Sequence, residues 1–85
     1  MSGKQKFYYT YVLRSIKDNK LYTGWTDNLK TRVTKRNNGL VQSTKTRGPF
    51  VLVYFEGCLS RSKAIKREKV LKTGFGRKYL KLRIN

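Results

Sequence analysis

Aromatic and β-branched residues fill two short runs near the start of the chain, FYYTYVLRS (7 to 15) and LYTGWT (21 to 26), with the polar cluster Lys17, Asp18, Asn19 and Lys20 between them. This is the pattern of a β-hairpin. A connection of even length, such as the two-residue Asp18-Asn19, places Tyr9, Tyr11 and Leu13 on one sheet face with Tyr22 and Gly24. Tyr8, Val12, Leu21 and Trp25 then take the opposite face.

The period changes after Thr26. Asp27 is a good cap residue, and NLKTRVTKRN follows it up to the stop cluster Asn37-Asn38-Gly39, which predicts a helix over 28 to 37. Leu29 and Val33 define its inward stripe, Arg36 falls between them and Arg32 lies at the edge. Arginines normally fan out towards solvent, so two on or beside the packed face are an oddity, whose plainest explanation is that both snorkel past the core. LVQSTKTRG (40 to 48) is polar, carries Lys45, Thr46 and Arg47, and reads as a basic loop available to nucleic acid. Gly48-Pro49 punctuates the start of FVLVYFE (50 to 56), a near-continuous apolar run expected to be a strand buried on both faces.

Ser60 or Ser62 is placed to cap a second helix reaching about Lys72, which Gly74 ends. Ala64, Glu68 and Leu71 share one azimuth on it, so a carboxylate sits on the apolar stripe. GRKYLKLRI (76 to 84) predicts a short third helix with Leu80 and Ile84 inward and four cations outward. The order is therefore β-β-α-β-α-α, with no internal repeat or linker.

Composition narrows the class. With 85 residues the chain has room for one domain, taken as residues 7–85 behind a disordered tail at 1–6, and 38% apolar content suffices for its core. The 21 Lys and Arg against 4 Asp and Glu give a formal charge of +17, which is self-repelling without a polyanion. Nucleic acid is the first candidate partner, ahead of a merely basic soluble surface or an anionic membrane. The chain has no apolar run of about 18 residues and no signal-like opening segment, so the expectation is a soluble, cytoplasmic protein, taken as a monomer. Cys58 has no second cysteine to pair with, and the chain contains no histidine. Those two facts remove internal disulfides, multi-cysteine zinc sites and the Ser-His-Asp and Cys-His nucleophiles together.

Chemistry is thus left to Tyr, Arg, Lys and four carboxylates. Asp18 is explained by the turn, Asp27 by the cap, and Glu56 ends a strand, where exposure is easy. Glu68 alone combines a helix, an apolar face and no local structural need. It either pairs with Lys72 at i,i+4, worth about 0.3–0.5 kcal/mol if exposed, or holds Mg²⁺ whose other positions are filled by water and phosphate oxygens. Tyrosines on strands are usually half-buried packing. Tyr11 and Tyr22, however, share a face beside Gly24, which offers open space for a backbone or substrate.

Taken in order, these residues resemble the signature of the GIY-YIG nuclease family. Tyr9-Thr10-Tyr11 resembles its first element and Tyr22-Thr23-Gly24 its second, Arg32 follows in the next helix, and AIKREKVLK places Glu68 at the metal-binding glutamate. STKTRGPFVLVYFE and KTGFGRKYL look like the small stand-alone bacterial members, related to the nuclease domain of the excision-repair incision enzyme. The resemblance covers about residues 7 to 82. It implies a small α/β domain of the α+β type, a three-stranded antiparallel sheet flanked by about three helices, and phosphodiester hydrolysis, with DNA as the first substrate to test.

In the implied mechanism Tyr22 deprotonates or positions water and Tyr11 supports the water or phosphate. Arg32 stabilises phosphoryl charge, and Glu68 holds one Mg²⁺ or Mn²⁺. A phenol of ordinary pKa, near 10, is a poor base at pH 7 unless cations depress it.

One departure is Arg36, where many relatives carry histidine and some tyrosine. Arginine accepts no proton, so Arg36 is either a second phosphate clamp beside Arg32 or the mark of lost catalysis. Trp25, where repair-enzyme relatives carry lysine, is a lesser variation. Three readings therefore stand: a nuclease of little sequence preference, a nucleic-acid-binding module of the same fold with reduced catalysis, and a basic RNA- or ribosome-associated protein.

Overall fold

The computed structural model describes residues 6–38 and 49–84. The basic loop expected at 40–48, with Lys45 and Arg47, lies outside the described residues, as does most of the expected tail. The elements are β1 (Tyr8–Ser15), β2 (Leu21–Thr26), α1 (Leu29–Asn37), β3 (Phe50–Cys58), α2 (Arg61–Leu71) and α3 (Gly74–Ile84). They form one antiparallel three-stranded sheet, ordered β2-β1-β3, with three helices.

The hairpin pairs Tyr11 with Gly24 and Leu13 with Tyr22, so the expected division of faces holds. The connection is longer than Asp18-Asn19, since Ser15 N–H already donates to Lys20 C=O at 2.9 Å. Asn19 takes the left-handed turn position at φ 62°, which asparagine tolerates better than most residues. Extending an even loop by two slides the register without exchanging faces.

The apolar run of β3 is not buried on both faces. β1 is the central strand and β3 an edge, where Val51 is 45% and Phe55 53% exposed. A bulge lies opposite Val12 and Leu13, which pair with Tyr54 and Leu52 and leave Val53 between them. An extra residue shifts which side chains face inward. Phe50 and Leu52 accordingly pack with the α1 layer, while Val53 and Tyr54 pack with the other.

Each face of the sheet has its own core. Tyr11, Leu13 and Phe50 bury themselves with Tyr22, Leu29, Val33 and Leu52 on the α1 side. Val12, Leu71 and Leu80 do so with Tyr54, Tyr79 and Ile84 on the side of α2 and α3. A fully buried leucine stabilises by roughly 1.5–3 kcal/mol, so these small clusters carry much of the fold.

Two helix boundaries correct the sequence expectation. Asn28, not Asp27, caps α1, accepting from Thr31 N–H at 3.0 Å. Asp27 instead pairs with Lys6 at 3.1 Å, and the hydrogen bond and charge of Lys6 hold its carboxyl below the usual carboxylate range. Of the two candidate serines, Ser60 caps α2 through Lys63 N–H. Gly74 starts α3 rather than ending α2, because Thr73 already caps the new helix, accepting from Gly76 N–H at 3.2 Å. The close approach lies at Gly76, where a Cβ would overlap the backbone of Val70 and Leu71.

Candidate active site

Two side-chain anchors and one close backbone approach bring the expected site residues to one place. Asn37 clasps both backbone groups of Phe50: its Oδ1 accepts from Phe50 N–H at 2.6 Å, and its Nδ2 donates to Phe50 C=O at 3.2 Å. That clasp fixes the end of α1 against β3 and sets the azimuth of Arg32 and Arg36. The buried Thr10 hydroxyl donates to Ala64 C=O at 3.0 Å, tying α2 to β1 one turn before Glu68. Gly76 lets α3 approach α2 closely enough to bring Arg77 over the same opening.

The result is a cleft of about 560 Å³ along β2. Tyr11, Tyr22, Arg32, Arg36 and Glu68 all line it. So do Leu21, Thr23, Gly24 and Trp25, consecutive with Tyr22 on β2. Successive strand residues alternate faces, so a cleft that takes all of them reaches round the free edge of β2. It draws on α1 from one side of the sheet and on α2 and α3 from the other.

Tyr11 is only 1% exposed. Its phenol fills the space above Gly24, where a Cβ would stand 2.5 Å from the hydroxyl oxygen. The expected opening beside Gly24 is thus occupied by a protein side chain. Arg36 Nε donates to that oxygen at 3.2 Å, so the phenol accepts from Arg36 and has its own proton to donate elsewhere. Tyr22 is half-buried, with its ring edge-on to Phe50 at 5.4 Å. Its orientation is set by the α1-side core.

Glu68 makes the expected i,i+4 pair with Lys72 and lies on the cleft. Its side chain is 17% exposed and accepts from Lys72 Nζ at 2.8 Å. Four cations line the opening, Arg32, Arg36, Lys72 and Arg77, against the one carboxylate of Glu68. Such a field concentrates an anion, and Glu68 is where a cation would enter with it. Among the described residues no group of three His, Cys, Asp or Glu is placed to hold a metal. That donor set does not suit zinc but fits Mg²⁺, which binds through one or two carboxylates and keeps water and phosphate oxygens as its other ligands.

Lys72 and Arg77 were not expected here. Lys72 was visible as the i,i+4 partner of Glu68. Arg77 had no sequence signal, because its place depends on the packing of two helices rather than on the face of one.

A model of the GIY-YIG catalytic domain matches residues 7–80. The UPF0213 protein SH2523 of Staphylococcus haemolyticus is 43% identical over 76 residues, which span 88% of this chain and 92% of that protein. The UPF0213 protein CPE1444 of Clostridium perfringens is 46% identical over 65 residues, 75% of this chain and 69% of that one. The solution NMR structure of the UPF0213 protein BH0048 from Bacillus halodurans superposes with a TM-score of 0.54 at 34% identity, covering 89% of this chain and 81% of that structure. With the signature residues gathered on one cleft and the match running almost end to end, the chain belongs to the GIY-YIG family, among its small single-domain UPF0213 members.

Proposed function

We propose that the protein is a Mg²⁺-dependent endonuclease that hydrolyses phosphodiester bonds in DNA with little sequence preference of its own. The observation that carries this reading is the joining of four cations, a half-buried phenol and one carboxylate on a single cleft of a GIY-YIG domain. The cations fit a phosphate, and the carboxylate fits the metal that accompanies it.

In this reading Arg32 forks onto the phosphoryl oxygens and neutralises charge that builds as water attacks phosphorus. The Tyr22 hydroxyl accepts a hydrogen bond from the attacking water and orients it. The new P–O bond forms from that water as the bond to the leaving sugar oxygen breaks; the water's proton passes to solvent by way of the Tyr22 hydroxyl, and the leaving oxygen takes a proton from solvent. Tyr11 lies too deep to be a primary contact and acts as a positioning residue, holding Arg36 through its oxygen. Mg²⁺ bound at Glu68 would supply neutralisation of phosphate and leaving-oxygen charge.

A second reading has a specific observation behind it. Arg36 donates to Tyr11, and a guanidinium cannot take a proton from water. If the family position at Arg36 is needed as a base, the cleft binds nucleic acid and cuts it slowly or not at all.

The test incubates purified protein with supercoiled, linear, branched and single-stranded DNA in Mg²⁺, Mn²⁺ or EDTA, alongside Glu68→Ala and Arg32→Ala. Metal-dependent nicking that both variants abolish supports the nuclease. Cleavage that survives either variant or EDTA comes from elsewhere and refutes the site. Inactive wild type made active by Arg36→His establishes the binding module.

A further inference from the structure

A second, smaller concavity of about 190 Å³ adjoins the main cleft and shares Trp25 and Arg32 with it. Its chemistry differs. The main cleft is lined by four cations, whereas this one has two aromatic rings, each with a cation over it. Arg61 Cζ lies 5.3 Å from the Trp25 ring centre and Lys6 Nζ 5.9 Å from that of Tyr8. The register explains the grouping, since Thr10 pairs with Trp25 on the α2 face of the sheet and Tyr8 lies two residues before Thr10 on that face. Arg61 is the first residue of α2, which Thr10 anchors beside them.

Asp27 also lines this concavity, paired with Lys6. A carboxylate at the rim disfavours a phosphate there and tolerates a base, whose edge carries N–H donors. Aromatic rings and guanidinium planes are the surfaces on which unpaired bases stack. In an intact duplex the base faces are already stacked on one another and unavailable.

We infer that Trp25, with Tyr8 and Arg61, forms a stacking subsite for an unpaired base whose adjoining phosphate lies in the main cleft beside Arg32. The substrate class follows: DNA with a single-stranded, frayed or flapped segment next to the bond addressed, in preference to uninterrupted duplex. Arg32 stands at the junction and grips the scissile phosphate, which joins the stacked nucleotide to its neighbour. This inference rests on the proposed function for its phosphate site, but its test does not depend on cleavage.

Trp25 is the only tryptophan in the chain, so its fluorescence reports this subsite directly. The full-length protein is titrated in EDTA with an oligothymidylate and, separately, with a blunt-ended hairpin duplex, following both anisotropy of a labelled strand and tryptophan emission. Oligothymidylate should quench Trp25 on binding while blunt duplex leaves it nearly unchanged. Trp25→Ala should weaken single-strand binding about tenfold more than duplex binding, the loss of one stack of about 1.4 kcal/mol. Trp25→Phe, which keeps a ring, should restore most of it.

Single-strand binding without quenching, or equal losses on both substrates that Trp25→Phe does not rescue, overturns the subsite. So does the absence of any nucleic-acid binding. Quenching by single strands with no cleavage in Mg²⁺ upholds the subsite and refutes the nuclease. Cleavage in Mg²⁺ without quenching in EDTA does the reverse.

Discussion

The protein contains two clusters built from the same residue types, and they behave differently. In the cleft, Tyr11 accepts from Arg36, and Glu68 pairs with Lys72 at the rim. At the opposite, β3 edge of the sheet, Glu56 accepts from Arg67 Nε and from the Tyr54 hydroxyl, each at 2.7 Å. A phenol carries one proton, so Tyr79, 3.1 Å from Tyr54, donates to it in turn. Arg67 and Arg83 then lie over the Tyr79 ring, at 4.7 and 3.7 Å. The far carboxylate is closed off by an arginine and a phenol, while the cleft carboxylate is held by a single flexible lysine. Satisfied polar groups in a closed network hold the fold. A carboxylate held by an exposed ammonium among other cations can exchange that partner for a metal ion with little penalty, since exposed ion pairs contribute at most about 1 kcal/mol.

The sharpest way to break this contrast is to neutralise each carboxylate alone. Glu68→Gln should lower the rate of DNA cleavage about 10³-fold, equivalent to about 4 kcal/mol of barrier, with the melting temperature nearly unchanged. Glu56→Gln should leave cleavage within about twofold, and parallel nicking assays and thermal melts read both outcomes. If Glu56→Gln costs as much activity as Glu68→Gln, the division between a working and a structural cluster is wrong.

Backbone approach is the next test. Gly76→Ala should destabilise by about 3 kcal/mol, because its methyl meets the backbone of α2 and cannot turn aside. Gly74, with nothing within 4 Å of a built Cβ, should accept alanine with a change of at most about 0.5 kcal/mol. Urea denaturation separates the pair.

Gly24→Ala should cost roughly 1–3 kcal/mol, since it drives the Tyr11 phenol from its seat. It should also lose cleavage beyond that stability loss, because Arg36 loses the oxygen that orients it. A Gly24→Ala protein that cuts DNA at the wild-type rate would remove Tyr11 from its positioning role. The stability arm of Glu56→Gln is smaller, about 1 kcal/mol, for one weakened hydrogen-bond pair that is partly open to solvent.

The smallest effect is on pH. Burial, then the hydrogen bonds with Tyr79 and Glu56, push the Tyr54 phenol above its ordinary range. A group whose folded pKa is raised contributes stability that is intact below its unfolded value, near pH 10, and is lost as pH climbs towards the folded value. Wild type should therefore lose more stability than Tyr54→Phe as the pH is taken above about 10. Parallel melting curves that never converge would argue against the far cluster as the cause.

Much of the fold was legible in the chain because it depends on local chemistry. The hairpin faces follow from a period of two and an even loop, and α1 shows in Leu29 and Val33 at helical spacing. Ser60 was among the named caps. The features the sequence misplaced share a different cause. Asp27 and Asn28 are equally good caps by type, and only the path of the chain leaving β2, with Lys6 beside it, decides between them. The run FVLVYFE looked buried on both faces because its apolar residues were counted without knowing that β1 would take the centre of the sheet and leave this strand at an edge.

The sequence by itself determined which residues were available for chemistry. Without histidine and with one cysteine, only phenols, guanidiniums, ammoniums and four carboxylates remained. Their order along the chain resembles the GIY-YIG signature, and their helix azimuth singled out Glu68. The tertiary structure decided where those groups meet. It turned Gly24 from open space into the seat of Tyr11, gave Arg36 to that phenol, and brought Arg77 to the rim. It also set Arg61 over the Trp25 ring beside Arg32. None of these depends on neighbours in sequence. Each follows from contacts among strands and helices far apart in the chain, fixed by the Asn37 clasp, the Thr10 anchor and the close approach at Gly76.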